Sequence, residues 1–158
     1  MTNAGNDIVL PPEYSGPAQL LLYTRYGDPR DAAFENKWIY SWNIQDTFPW
    51  FPAERLRIHK HFWPLLDAAF KELELYNLHD EIKGIGDCFS IHTINETQPL
   101  LSMHSWGAAL DMHTKPDELL NKVNWSNDFL DIMEKHAIHC GQKWSVHAEP
   151  HHFAMVNG

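Results

Sequence analysis

Two short blocks hold the residues whose types and spacing can do chemistry. Ser102-Met103-His104-Ser105-Trp106-Gly107-Ala108-Ala109-Leu110-Asp111 offers an imidazole and, seven residues later, a carboxylate on a small-residue, apolar segment. Glu149-Pro150-His151-His152 offers a carboxylate and, three residues on, another imidazole. Two His and one Asp hold a zinc ion and leave its fourth position open, the pattern of catalytic rather than structural zinc. Glu149 is then left to act as general base on a water at that ion. His104 by itself carries little, because a lone His in an apolar segment is most often a hydrogen-bonded core or surface residue. Its weight comes from Asp111 and the Glu149/His152 pair, which complete a ligand set. His151 competes with His152: neighbours on a strand point to opposite faces, so only one of them can face the metal. His113 and His147 stand near enough in sequence to orient ligands or substrate, and they fit equally well as solvent-facing polar residues.

Composition bounds what such a site can belong to. The chain has 158 residues, enough for one compact domain spanning 1–158. Hydrophobic residues make up 44% and aromatic ones 13%, which suffices for a core. The net charge of −9 argues against nucleic acid as a partner, since that affinity comes from Lys and Arg on phosphates. It also disfavours electrostatic attachment to anionic membranes. No run approaches the roughly 20 apolar residues of a membrane span. Met1 to Gly16 lacks the basic start and apolar stretch of a signal peptide, so a soluble protein made in the cytosol is expected. If it acts on a target outside, something else must release it. Cys88 and Cys140 are too few for a disulfide scaffold and read as reduced, partly buried thiols.

The elements that must position the two blocks can be read in outline. Residues 1–19, with Pro11, Pro12, Gly16 and Pro17, read as an extended arm. Leu20 to Tyr23 is a short helical turn or strand, and Asp31 to Tyr40 a short helix. Phe48-Pro49-Trp50-Phe51-Pro52 is an aromatic loop better suited to core packing than to a cleft wall. Apolar spacing from Ala53 to Leu78 predicts a long helix, started or kinked at Pro64, with His59 and His61 on its polar side. Gly84 to Thr93 reads as a strand, as does Gly107 to Met112, where alternation puts Gly107, Ala109 and Asp111 on one face. Ser126 caps a second helix whose buried stripe includes Phe129, Ile132 and Met133, and Gly141 ends it. Lys143 to Val146 and His152 to Val156 are strands about a turn at Pro150. The class is α+β, a small, mainly antiparallel sheet packed by helices.

These blocks resemble the D-alanyl-D-alanine carboxypeptidase/L-alanyl-D-glutamate peptidase family of zinc peptidases. That family includes vancomycin-resistance dipeptidases and phage endolysins, and its fold is shared with the zinc-bearing domain of hedgehog proteins. Its pattern, Ser-x-His-x-x-Gly-x-Ala-x-Asp, is matched by Ser102, His104, Gly107, Ala109 and Asp111. Its second pattern, an acidic residue, two residues and His-Phe, is matched by Glu149, His152 and Phe153. The Trp144 region also looks like the family's approach to that second block. The likeness runs from about residue 57 to the C-terminus.

The resemblance implies His104, Asp111 and His152 as zinc ligands, which selects His152 over His151, with Glu149 as the base. It implies Zn2+ as cofactor, a peptidoglycan stem peptide as substrate with Ser102 as a contact, a monomer, and action on the cell wall after release. An endolysin-like L-alanyl-D-glutamate endopeptidase is the expected subtype. D-alanyl-D-alanine carboxypeptidase or dipeptidase, or a non-catalytic zinc-binding domain, are the alternatives. One departure stands out. Where the family carries an Arg that contacts substrate and steadies the oxyanion, Cys88-Phe89-Ser90-Ile91-His92 places His92, which is expected to take over that contact.

Overall fold

The computed structural model of the chain describes residues 12–116, 122–142, 144 and 148–158. A 3-10 turn at Pro12–Tyr14 leads into helix α1 (Pro17–Tyr26), started by Pro17, whose missing N–H is no loss at a helix N-terminus. This replaces the expected arm over residues 12–19; residues 1–11 lie outside the described ones. Tyr14 anchors the segment. It is buried, stacks on Tyr23 at 4.1 Å and meets the edge of Trp106 at 6.0 Å.

Helix α2 (Phe34–Trp38) passes directly into strand β1 (Ile39–Trp42), which pairs antiparallel with β2 (Leu56–His59). The second strand corrects the long-helix expectation. Leu56 and Ile58 are buried and Arg57 between them is exposed, a period of two at the head of what reads as a helical stripe. His59 is therefore fully buried rather than on a polar helix face. The helix itself is α3 (Trp63–Leu75), begun at Pro64, with Leu66, Ala69, Phe70 and Leu73 on its buried face. Phe48 and Phe51 of the aromatic loop pack beneath it in the core.

Strand β3 is only Gly84–Ile85, so the expected strand to Thr93 is mostly irregular; Thr93 begins β4 (Thr93–Asn95), which pairs with β5 (Gln98–Leu101). Strand β6 (Ala109–His113) starts two residues later than expected, because Gly107 takes a left-handed conformation, φ 66°. Helix α4 (Asn127–Lys135) has the expected cap, Ser126 Oγ accepting the Phe129 N–H at 3.2 Å. It ends before Gly141, through Ala137 at φ 60°, and Gly141 belongs to β7 (His139–Gly141). Pro150 is not at a turn but inside β8 (Glu149–Ala154). The strand expected at 143–146 lies, apart from Trp144, outside the described residues.

The main sheet runs β3-β6-β8-β7, antiparallel throughout, and the class is α+β as read from the sequence. Leu110, Met112 and Phe153 join α3, α4 and β2 in one core, each such fully buried side chain contributing about 1.5–3 kcal/mol. Ala109 and Ala154 join Tyr14, Leu22 and Trp106 in a second. The thiols are not bridged: Cys88 donates to the Arg57 carbonyl at 2.9 Å and Cys140 to that of Pro150 at 3.4 Å. No described helix is long and apolar enough to cross a membrane.

Candidate metal centre

Strands β6 and β8 pair with Asp111 opposite His152, so both side chains rise from one face of the sheet at neighbouring points. The next pair on that face, Ala109 opposite Ala154, is small. His104 reaches the same place from a 3-10 turn, Met103–Trp106. Ser102 Oγ opens that turn by accepting the His104 N–H at 3.3 Å, and Gly107 closes it. The Gly107 carbonyl takes the His59 N–H at 2.9 Å, and a Cβ on Gly107 would fall 2.7 Å from Ile39 and 2.9 Å from the His59 nitrogen. The turn thus rests backbone to backbone on β2.

The donor atoms converge. His104 Nδ1 donates to the Cys88 carbonyl at 2.9 Å and Nε2 donates to Asp111 Oδ1 at 3.1 Å; with Nδ1 held by the carbonyl, Nε2 is the nitrogen that would give up its proton to face a cation. His152 Nδ1 stands 3.5 Å from the same carboxylate oxygen, with its ring perpendicular to that of His104. One ligand atom from each of the three residues lies within 4.8 Å of the others. An ion at about 2.0–2.2 Å from each donor needs them roughly 3–4 Å apart. Two imidazole nitrogens and one carboxylate oxygen at these separations fit a divalent cation such as zinc. Burial alone pushes the Asp111 carboxyl up, but hydrogen bonds from His104 and His152 outweigh it and hold the group well below the usual carboxylate range. Burial likewise pushes the His104 imidazole down, and the Asp111 carboxylate more than reverses this.

The other expected residues stand around these three. Glu149 opens β8, its side chain 41% exposed, with Oε2 4.0 Å from His152 Nδ1. Gly141 seats it: a Cβ there would lie 2.5 Å from the Glu149 carbonyl oxygen and 3.0 Å from its Cβ. His92 is fastened to the ligand turn at both ends of its backbone. Its N–H donates to Ser105 Oγ at 3.2 Å, and its carbonyl accepts from the Ser102 N–H at 2.9 Å and the Ser105 hydroxyl at 3.1 Å. Its ring lies nearly parallel to that of His104, centroids 6.0 Å apart. Ser102, read either as a substrate contact or as a residue that shapes the turn, uses its hydroxyl as the cap of the ligand turn. His113 Nε2 is buried with no hydrogen-bond partner among the described residues, and His147 lies outside them. His151 is half-buried, and burial lowers its pKa. Trp106 is packing: fully buried, with its indole N–H on the Gly27 carbonyl at 3.0 Å.

A cleft of about 950 Å³ opens over the three donors, with His92, Ser102, Trp144, Glu149 and His151 among its walls. Trp144 packs on His152, ring centroids 5.2 Å apart. Two contributors escape a reading of the sequence. The Cys88 carbonyl fixes His104, and a backbone acceptor leaves no residue signature. Pro17 to Gln19 wall the cleft although they are far from both blocks in the chain.

Comparison with known families matches residues 95–155 to the model of a D-alanyl-D-alanine carboxypeptidase family. The matched span holds both blocks but is narrower than the likeness expected from residue 57, and it begins after His92. Comparison with curated proteins gives no match, and comparison with solved structures gives none.

Proposed function

We propose, from the match of residues 95–155 to the model of a D-alanyl-D-alanine carboxypeptidase family, that the chain is a zinc-dependent peptidoglycan peptidase that hydrolyses an amide bond of the stem peptide. The observation that carries this reading is the meeting of His104, Asp111 and His152 beneath an open cleft, with Glu149 at its edge. When bound by these three residues, a zinc ion would polarise the scissile carbonyl and acidify water. Glu149 takes the proton of the attacking water and delivers it to the departing amine, so that one water and one amide become a carboxylic acid and an amine. His92 lies beside His104 and donates a hydrogen bond to the carbonyl oxygen as negative charge builds there, in the place of the family's Arg. Asp111 keeps its negative charge throughout, and the Cys88 carbonyl keeps the His104 ring in one tautomer.

An L-alanyl-D-glutamate endopeptidase is the subtype proposed. The second reading, a D-alanyl-D-alanine carboxypeptidase, is favoured by the description of the matched family. Mass analysis of purified peptidoglycan digested by the zinc-loaded protein separates them. New N-terminal D-Glu is expected, and free D-Ala would replace the first subtype by the second. Stoichiometric zinc with no cleavage of any wall preparation would make the chain a zinc-binding domain without turnover.

A further inference from the structure

Among the described residues the cleft walls carry no fixed positive charge. The chain has 12 Lys and Arg, yet none is among the described residues that line the cleft. Four carboxylates do line it: Asp87, Asp111, Glu134 and Glu149. A divalent ion would offset two of these charges and leave two. Arg57, whose carbonyl takes the Cys88 thiol, is turned elsewhere, its guanidinium over the Phe89 ring and paired with Glu35. The remaining wall is largely apolar, from Pro17 and Ala18 across Ile94 and Leu100 to Met103 and Trp144. His92 lines the cleft beside His104, with its Nδ1 donating to the Ser90 carbonyl at 3.1 Å.

A substrate carboxylate brought into this cleft meets carboxylates at close range, without a bidentate partner to compensate its lost hydration. An amide at the same point keeps its hydrogen bonds and adds no charge. Resting on the peptidase reading, we propose that the cleft selects stem peptides in which the group flanking the scissile bond is an amide and rejects those in which it is a free carboxylate. For the L-alanyl-D-glutamate bond, this means a D-glutamate whose α-carboxyl is amidated. For the chain terminus, it means that a free D-alanyl carboxylate is a poor ligand. The device is repulsion by Asp87 and Glu149 with no Lys or Arg among the described lining residues to offset it, so specificity arises from what the wrong substrate loses.

The test uses two matched peptide pairs: L-alanyl-γ-D-glutamyl-L-lysine against the same peptide with an α-carboxamide, and a D-alanyl-D-alanine-ended peptide as free acid against its C-terminal amide. Binding to the metal-free full-length chain is measured by calorimetry, and kcat/KM with the zinc-loaded protein, both at pH about 8. Each is repeated at about 20 mM and about 500 mM salt. The amide of each pair is expected to be favoured about tenfold at low salt, with the gap closing at high salt, and His92→Arg is expected to narrow or reverse it. Equal binding, or preference for the acid, overturns the inference. Absence of cleavage with zinc bound overturns the peptidase reading instead, and the binding comparison then still decides the selectivity.

Discussion

The side chains of His104, Asp111 and His152 are at most 13% exposed, whereas Glu149, 4.0 Å from His152, keeps 41% of its side chain in solvent. The three donors sit on paired strands and on a turn that rests on β2, with a packed core on either side of the sheet. Glu149 and His92 stand at the edge of the same cleft, positioned by backbone contacts, with the His92 ring also donating from Nδ1 to the Ser90 carbonyl. The difference suits the two tasks proposed for these residues. Holding an ion needs lone pairs fixed in place by buried partners, and moving protons needs a group that reaches water and substrate.

Removing a donor and removing the base should therefore fail in different ways. Asp111→Ala is expected to abolish stoichiometric zinc and reduce wall cleavage to background, since His104 and His152 lose the anion that aligns them. Glu149→Gln is expected to keep one zinc per chain while turnover falls about 10²–10⁴-fold. Metal content and cleavage rate, measured on the same preparations, check both. Zinc lost from Glu149→Gln would erase the distinction between donors and edge, and turnover retained by it would remove Glu149 from its role.

The turn under His104 offers a smaller effect. Gly107→Ala puts a side chain at φ 66° and within 3 Å of Ile39 and of the β2 backbone, and should cost about 2–4 kcal/mol while weakening zinc binding. Denaturant unfolding and zinc titration read the two separately. Stability lost with zinc affinity unchanged would show that the turn does not set the His104 geometry.

His59, under the same turn, contributes a pH effect. Burial, and then the nearby His61, lower its pKa to about 3. The unfolded chain therefore binds this proton more readily than the folded one. Its contribution is complete above pH 6.5 and falls by about 1.4 kcal/mol per unit as pH drops below that value toward 3. Unfolding midpoints of the metal-free protein between pH 7 and 5 should show this slope, and His59→Phe should flatten it.

The site was more legible than the scaffold. His104, Asp111, Glu149 and His152 stand out in the sequence because the coordination and proton transfer proposed for them admit few residue types. Their meeting is fixed by one register, Asp111 opposite His152, which two short blocks suffice to suggest. The scaffold misled where one pattern served two structures. Leu56 and Ile58 fit the helical stripe that follows them, yet they alternate with exposed Arg57 and pair with β1. Pro150, read as a turn, lies in a strand, and its carbonyl takes the Trp125 indole N–H at 2.7 Å. His92 carries the least warning: an isolated His has no pattern, and its place beside His104 depends on hydrogen bonds to Ser105.

Gly141 illustrates how the site and the scaffold compete for the same residue type, and it leads to the smallest of the effects. A glycine after an amphipathic helix ordinarily supplies the left-handed residue that ends it. Here Gly141 seats Glu149, and the helix end falls to Ala137 at φ 60°, with its methyl exposed. An L-residue in that conformation costs about 1–2 kcal/mol, and glycine gives back part of the gain through its freer unfolded chain. Ala137→Gly should raise stability by about 0.5–1 kcal/mol, visible as a higher denaturant midpoint at unchanged slope. Zinc content and kcat/KM should stay as they are, because the substituted residue touches neither donors nor cleft edge. A fall in zinc content would mean that α4 and β7 tension the metal centre, and the division between a fixed floor and a working edge would then have to extend through the helix end.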